Sequence, residues 1–299
     1  MNKNIKKVEK KVLKNYNNVP PYEKVDATRL EMFYKDNLKL PKEVFFKRFT
    51  LDVGCGDGAK TKIYDKNFLS YGYGIDIVDN PYEKASLFDY KPKFKYGMVI
   101  CDGVLHHTAD GEFGFKKLCS FLDKKEDGWI IISVINKSGQ TQRALIIRAI
   151  KKLGNTNDQR YRAAKRLFPT FLKRAKKYGH REARQVIYDD FLNPQLDSYT
   201  NKEIMKWFYD NGIKFYSSYP HIYEGCEDDW KCMKEINKPV DCHIGFGEEL
   251  KEFNLFLKEN HTMNEYISKI KTFKHLFKGM CGLGSVYYVG YKTKRGGSR

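Results

Sequence analysis

With 299 residues, 41% of them hydrophobic and 15% aromatic, the chain can bury a sizeable core and does not belong to the disordered class. Its formal charge of +18 points to an anionic partner or surface, and its seven scattered cysteines fit reduced thiols better than a disulfide framework. The longest apolar stretch, WIIISVI at 129–135, is too short to span a membrane and the lysine-studded N-terminus has no apolar signal core, so a cytoplasmic location is expected.

In chain order, Ile5, Val8, Val12 and Leu13 recur at helical spacing within a lysine-coated helix over 5–16, which Pro20-Pro21 stops. A second helix is expected at 26–38, ahead of Pro41. The period then becomes that of strands. FFKRFTLDVG enters a cluster of glycines, SYGYGIDIV (70–78) follows, EKASLF (83–88) is a weaker third, YGMVICDGVL (96–105) a fourth and GWIIISVIN (128–136) a fifth. Helical spacing fills 59–67 and 110–124, with Phe113, Phe115, Leu118 and Leu122 placed inward. Strands that alternate with helices predict a doubly wound, mostly parallel α/β sheet.

After residue 136 this rhythm breaks. From Lys137 to Arg184, fifteen lysines and arginines stand against two acids, Asp158 and Glu182. The segment reads as helical over 140–186, interrupted near Gly154–Asn157 and at Pro169. Such a stripe suits nucleic acid, an anionic metabolite or an acidic surface, or is simply a solvated helical face. A helix starting at Ser198 or Thr200 has Glu203 placed for a capping box and ends at Asn211-Gly212, before a strand. Helical spacing returns at 248–278, and SVYYVGYK (285–292) reads as the last strand. Cys226, Cys232, Cys242 and His243 have zinc-ligand chemistry. They lack a close Cys-x2-Cys pair, and the adjacent Cys-His would strain one ligand, so no metal is expected.

The glycines of LDVGCGDG, at 54, 56 and 58, carry the strongest signal. A glycine turn between the first strand and its helix lets a bound nucleotide approach backbone, and an acid ending the next strand can accept from ribose hydroxyls. Asp76, eighteen residues beyond Gly58, is that acid. Gly54-x-Gly56-x-x-Ala59 would also suit a dinucleotide. Asp52 before the turn, where it can face a cationic amino group, and Thr61-Lys62 beyond a third glycine argue against one.

LDVGCGDG and GIDI resemble the first two motifs of class I S-adenosylmethionine-dependent methyltransferases, and CDGVLHHTAD followed by a helix and GWIIISVIN resembles the fourth- and fifth-strand region of small-molecule members. YDDFLNPQLDSYTNKEIMKWFYDNGIKFYSSYP is similar to a segment of a mostly uncharacterised bacterial branch. Where such families carry an acid opening the fourth strand, this chain has Gly97. The resemblance implies a Rossmann-like methyltransferase fold: a seven-stranded sheet with N-terminal helices and a basic helical insert after the fifth strand. The implied units are an N-terminal helical segment (1–41), a core binding S-adenosylmethionine (42–136), the insert or lid (137–200), and the rest of the core (201–292). That last part holds the sixth and seventh strands and a Cys- and acid-rich insert at 221–283. A loose tail (293–299) follows.

Position by position, the resemblance implies that Asp52 and the backbone of Gly54, Cys55, Gly56 and Gly58 hold the methionine part of the cofactor. Asp76 would bind the ribose, Ile77 would pack on adenine, Phe88 or Asp89 would sit at the adenine edge, and Asp102 and Gly103 would border the sulfonium. His106 and His107 follow the fourth strand where an acceptor would arrive. Either can act as base, with His107 favoured, or both shape the pocket. The sequence lacks the N/D-P-P-Y/F step of base-amine methylation at the fourth strand and a Pro-Cys nucleophile, which favours a small-molecule acceptor, and the basic insert suggests an anionic one. Arg143, Arg148, Arg181 and Arg184 are the candidates to hold it. An RNA methyltransferase using 137–184 as a phosphate track, and a catalytically silent partner protein that binds the same cofactor, are the alternatives.

Overall fold

A computed structural model describes residues 3–19, 25–123, 127–137, 140–179, 181–222, 247–273 and 285–292. Pro20-Pro21, the cluster of Cys226, Cys232, Cys242 and His243, and the tail lie outside them. The strands are β1 (Phe49–Val53), β2 (Tyr71–Asp76), β3 (Glu83–Lys84), β4 (Met98–Asp102), β5 (Gly128–Ile135), β6 (Lys214–Tyr219) and β7 (Ser285–Lys292). They form one seven-stranded sheet in the order β3-β2-β1-β4-β5-β7-β6. The first five are parallel, and β7 runs antiparallel to both β5 and β6.

The central strands are buried on both faces, with successive side chains pointing to opposite sides. Leu51, Val53, Val99, Cys101, Ile130 and Ile132 point to one face and pack with Leu105, Phe115, Leu118, Trp207 and Phe208. Those partners come from α4 (Gly111–Phe121), α9 (Asn201–Asp210) and the turn after β4. Met98, Ile100, Ile131 and Val289 point to the other face, against Tyr34, Leu38, Phe45 and Tyr64. Tyr64 belongs to α3 (Ala59–Asn67), and Tyr34 to a wide helical turn, Phe33–Asn37, that continues α2 (Ala27–Met32). Each such apolar side chain contributes roughly 1.5–3 kcal/mol on burial.

Three local expectations change. β3 is two residues long because the Asn80 amide donates to the carbonyls of Val78 and Glu83, each at 3.1 Å, and the chain then turns at Ser86, whose Oγ accepts from Phe88 N. Phe113, expected inside, is 41% exposed and stacks on Phe88. The long helix expected at 248–278 is two helices, α10 (Gly247–Phe256) and α11 (Met263–Thr272). They are separated where Thr262 caps α11 in a box with Glu265 and His261 stacks on Phe256 at 3.7 Å. The box expected between Thr200 and Glu203 is present at the start of α9.

The basic segment forms α5 (Gln140–Lys152), α6 (Asn157–Leu167), α7 (Pro169–Gly179) and α8 (Ala183–Val186), which runs into a second wide turn at Ile187–Phe191. These helices have a core of their own. Leu145, Ile146, Ala164 and Ile187 pack in it with Phe253 of α10, Leu257 just beyond that helix, and Tyr266 and Ile270 of α11. The segment 247–273 therefore shares its apolar face with the insert, although sequence order placed it with the C-terminal strands. The helix α1 (Lys3–Tyr16) bridges the two parts. Its Glu9 carboxylate accepts from Ser86 Oγ beside β3, and Asn15 Nδ2 donates to the Tyr188 carbonyl at 2.8 Å.

Phe253→Ala is expected to cost about 3–5 kcal/mol through the cavity it leaves. Hydrogen exchange should rise across α5–α8 while amides of β1, β4 and β5 keep their protection; the reverse pattern would place α10 with the sheet.

Candidate active site

β1 has β2 on one side and β4 on the other, so strand order reverses between β1 and β4, and a crevice opens beyond their carboxyl ends. The turn leaving β1 has left-handed backbone at Gly54, Gly56 and Gly58 (φ 81°, 56° and 76°), which residues with a Cβ rarely adopt. Gly54 N and Cys55 N both donate to the Ile75 carbonyl, at 2.8 and 3.1 Å, so β2 holds the turn in place. Gly58 then starts α3. A Cβ on Gly54 would collide with Val104, whereas one on Gly56 or on Gly103 (φ 77°) would meet nothing within 4 Å. Those two positions face open space on either side of the reversal point.

Asp76 ends β2 as expected. Its Oδ2 accepts from Gly56 N at 2.8 Å and its Oδ1 from Val78 N at 3.0 Å. Burial outweighs these bonds and raises its carboxyl above the ordinary value. Asp52 lies beneath the turn, 3% exposed, and accepts from Thr61 Oγ1 at 2.7 Å. Burial pushes it up to about 6, against the pull of Thr61 and Lys60. Cys55 is buried, burial pushes its thiol up, and its carbonyl accepts from Gly58 N at 2.9 Å within the turn. Phe88 is buried against Phe113. Ile77, Ser86 and Asp89 line a cleft of ≈ 420 Å³ with Glu9, Lys10 and Leu13. The sequence showed α1 as a helix without revealing that it roofs this cleft, since nothing local ties residue 9 to residue 86.

At the tip of β4 the Asp102 carboxylate is turned away from open space. Its Oδ1 accepts from Ser133 Oγ at 2.5 Å, and its Oδ2 accepts from Tyr287 OH at 3.2 Å and from the Lys60 ammonium. Burial acts to raise it, but Lys60 and these donors prevail and hold it below the ordinary carboxylate value. Lys60 and Tyr287 were not singled out from sequence. The available signal for Lys60 was its place two residues after the last glycine, in the first turn of α3. At Gly97, the Arg48 stem lies 3.1–3.3 Å from where a side chain would begin.

His106 and His107 lie in a helical turn, Leu105–His107, at the rim, their rings 4.2 Å apart. His107 Nδ1 is 2.8 Å from the Gln195 carbonyl, so it carries the hydrogen, and Nε2 is 3.4 Å from Asp189 Oδ1. His106 is 5% exposed, and its Nδ1 has no partner among the described residues. Burial, then His107 and Arg143, keep its basicity well below the ordinary value, so the ring is neutral.

The four arginines separate by partner. Arg181 donates from Nη2 to Asp189 at 2.7 Å and from Nη1 to Asp190 at 3.0 Å. Arg148 donates to Asn254 Oδ1, and Arg184 donates to the Asn18 carbonyl and lies over Tyr161 and Tyr188. Arg143 meets Asp190 through Nη2 at 3.5 Å, while its buried Nη1 has no partner among the described residues. Asp189 also accepts from Tyr16 OH at 3.1 Å. Burial would raise its carboxyl, but His107 and Arg181 hold it well below the ordinary range. The adjacent acids of YDDF were the sequence signal for this network.

The chain matches no family model and no curated protein. Among solved structures it is similar to PKMT2 from Rickettsia typhi, with 13% identity and a TM-score of 0.51 over 91% of this chain and 53% of that one. It is similar to the same protein in complex with AdoHcy, with 11% identity and a TM-score of 0.51 over 92% and 55%. The chain thus spans about half the length of the PKMT2 chain it matches. A third match is the Burkholderia thailandensis 1,6-didemethyltoxoflavin-N1-methyltransferase with bound 1,6-didemethyltoxoflavin and S-adenosylhomocysteine, with 10% identity and a TM-score of 0.39 over 90% and 87%. The fold is the Rossmann-like α/β methyltransferase fold. No helix among the described residues is long and apolar enough to cross a membrane.

Because burial lifts Asp52 to about 6, above its unfolded value near 3.9, its protonated form favours folding and its ionised form opposes it. That contribution is complete below pH 4 and lost as pH rises through 6. Asp52→Asn should therefore stabilise the ligand-free protein above pH 7, by at most about 3 kcal/mol, and give no gain below pH 4 in denaturant titrations.

Proposed function

We propose that the chain is a methyltransferase that uses S-adenosylmethionine to methylate a small, anionic metabolite by in-line displacement in the cytoplasm. The observation that carries this reading is the pair Gly56 and Gly103, open where a Cβ would stand, beside the Asp76 carboxylate at the point of strand reversal. The backbone of Gly54, Cys55, Gly56 and Gly58 and the border at Gly103 would hold the cofactor, Asp76 its ribose, and Ile77, Phe88 and Asp89 its base. When bound, that cofactor supplies a methyl group on a cationic sulfur. The protein's share is to hold the acceptor in line and keep water out; α1 lines the cleft beside Ile77, and Asp189 of the insert meets His107 at the rim.

Both ring nitrogens of His107 face partners, so its role is to position the rim turn against Gln195 and Asp189. His106 is neutral and its Nδ1 has no partner among the described residues, so it is the ring left to take a proton from the acceptor, as a weak base. Of the arginines, Arg143 keeps a donor to offer an anionic acceptor; Arg148, Arg181 and Arg184 are engaged within the fold. One observation supports the RNA alternative: Arg162, Lys165, Arg166 and Lys173 are exposed on α6 and α7. RNA affinity falling steeply with salt would select it.

S-adenosylhomocysteine at a hundred times its Kd should stabilise the protein by about 2.7 kcal/mol, read as a rise in Tm, and Asp76→Ala should abolish the rise. No shift at millimolar ligand overturns the reading. With a metabolite extract as acceptor source, His106→Gln should lower S-adenosylhomocysteine release about 10²- to 10⁴-fold while retaining the thermal shift.

A further inference from the structure

We infer that Lys60 is the anchor for the carboxylate at the amino-acid end of the bound S-adenosyl ligand, aimed there by Asp102. The inference rests on the cofactor reading above and adds a residue and a charge contact to it.

Lys60 and Asp102 form an ion pair at the edge of the crevice. Lys60 comes from the first turn of α3, directly after the glycine turn, and its ammonium meets Asp102 at the end of β4. An ammonium carries three donors, and Asp102 takes one direction. The Lys60 side chain is 35% exposed and the Asp102 side chain 17%, so part of the lysine reaches solvent while the ammonium sits against the carboxylate. Asp102 is fixed from below by Ser133 Oγ at 2.5 Å and Tyr287 OH at 3.2 Å. The order from β5 and β7 outward is hydroxyl donors, carboxylate, ammonium. The ammonium is thus held in place, with Asp102 its hydrogen-bond partner among the described residues.

Position supplies the ligand. A nucleoside with its ribose at Asp76 directs its base towards the cleft between Ile77 and α1. On the cofactor reading above, its 5′ substituent would cross the glycine turn towards the tip of β4. There Gly103 leaves open space, and Lys60 stands beside it in contact with the preceding residue, Asp102. The partial positive charge at the start of α3 favours an anion at the same place. A carboxylate meets these conditions, and a 5′ substituent without one leaves the Lys60 donors to water. Asp102 is in this account a positioning residue and makes no contact with the ligand.

The experiment measures binding of two nucleosides to the full chain by calorimetry: S-adenosylhomocysteine, which carries the amino-acid end, and 5′-methylthioadenosine, which lacks it. A charge-assisted hydrogen bond of this kind corresponds to about a 10- to 100-fold gain in affinity. The wild type should prefer S-adenosylhomocysteine by that factor. Lys60→Met should remove most of the preference, leave 5′-methylthioadenosine within about twofold, and Lys60→Arg should restore part of it. Because Lys60→Met leaves a buried carboxylate without its cation, the double variant Lys60→Met/Asp102→Asn is measured alongside and should show the same selective loss. Equal affinities of wild type and both variants for S-adenosylhomocysteine, or a parallel loss for both nucleosides, overturns the assignment of Lys60. If neither nucleoside binds the wild type, the cofactor reading itself is overturned.

Discussion

The left-handed turn between β1 and α3 is the constraint on which the rest of the site depends. Three glycines give it a shape that side chains would forbid, and two donated hydrogen bonds to the Ile75 carbonyl fasten it to β2. Asp76 completes the fastening by accepting from Gly56 N, so the acid that would read a ribose also fixes the turn beside it. This dual use matters physically. A carboxylate buried at that depth needs donors, and the turn supplies them without covering the crevice.

Around that turn the protein places charge in layers. Asp52 sits beneath α3, protonated more readily than an exposed acid, while Asp102 stays ionised because Lys60 stands over it. Two carboxylates one strand apart thus have opposite tendencies, and the difference comes from their partners: one hydroxyl for Asp52, an ammonium and two hydroxyls for Asp102. The same logic operates at the rim. Asp189 and Asp190 draw Arg181, Arg143 and His107 into one network, which ties the insert to the turn after β4 and, through Tyr16, to α1. The basic segment therefore has two populations of cations. Arg143 and Arg181 pair with the acids of the insert's own Ile187–Phe191 turn, and others, on α6 and α7, face solvent.

The second core changes how the insert is understood. Its helices are too basic on their outer faces and too short to stand alone, and α10 and α11 supply the apolar surface that completes them. A segment about a hundred residues downstream is thus structurally part of the insert. The second core is consequently set by packing between distant parts of the chain.

Much of this was legible locally. Period-two runs gave the strands, the spacing of Gly54, Gly56, Gly58 and Asp76 gave the turn and its acid, and Thr200 with Glu203 gave a helix start, because each depends on residues a few positions apart. β3 shortened and Phe113 turned outward because an Asn80 bridge and a stacking partner at Phe88 outweighed the pattern. The roof formed by α1, the contact of Lys60 with Asp102, the engagement of His107 and three of the arginines, and the union of α10 and α11 with the insert were decided only in three dimensions. Each joins residues that are far apart in sequence, and charge or apolarity alone does not specify which of many possible partners a side chain will meet.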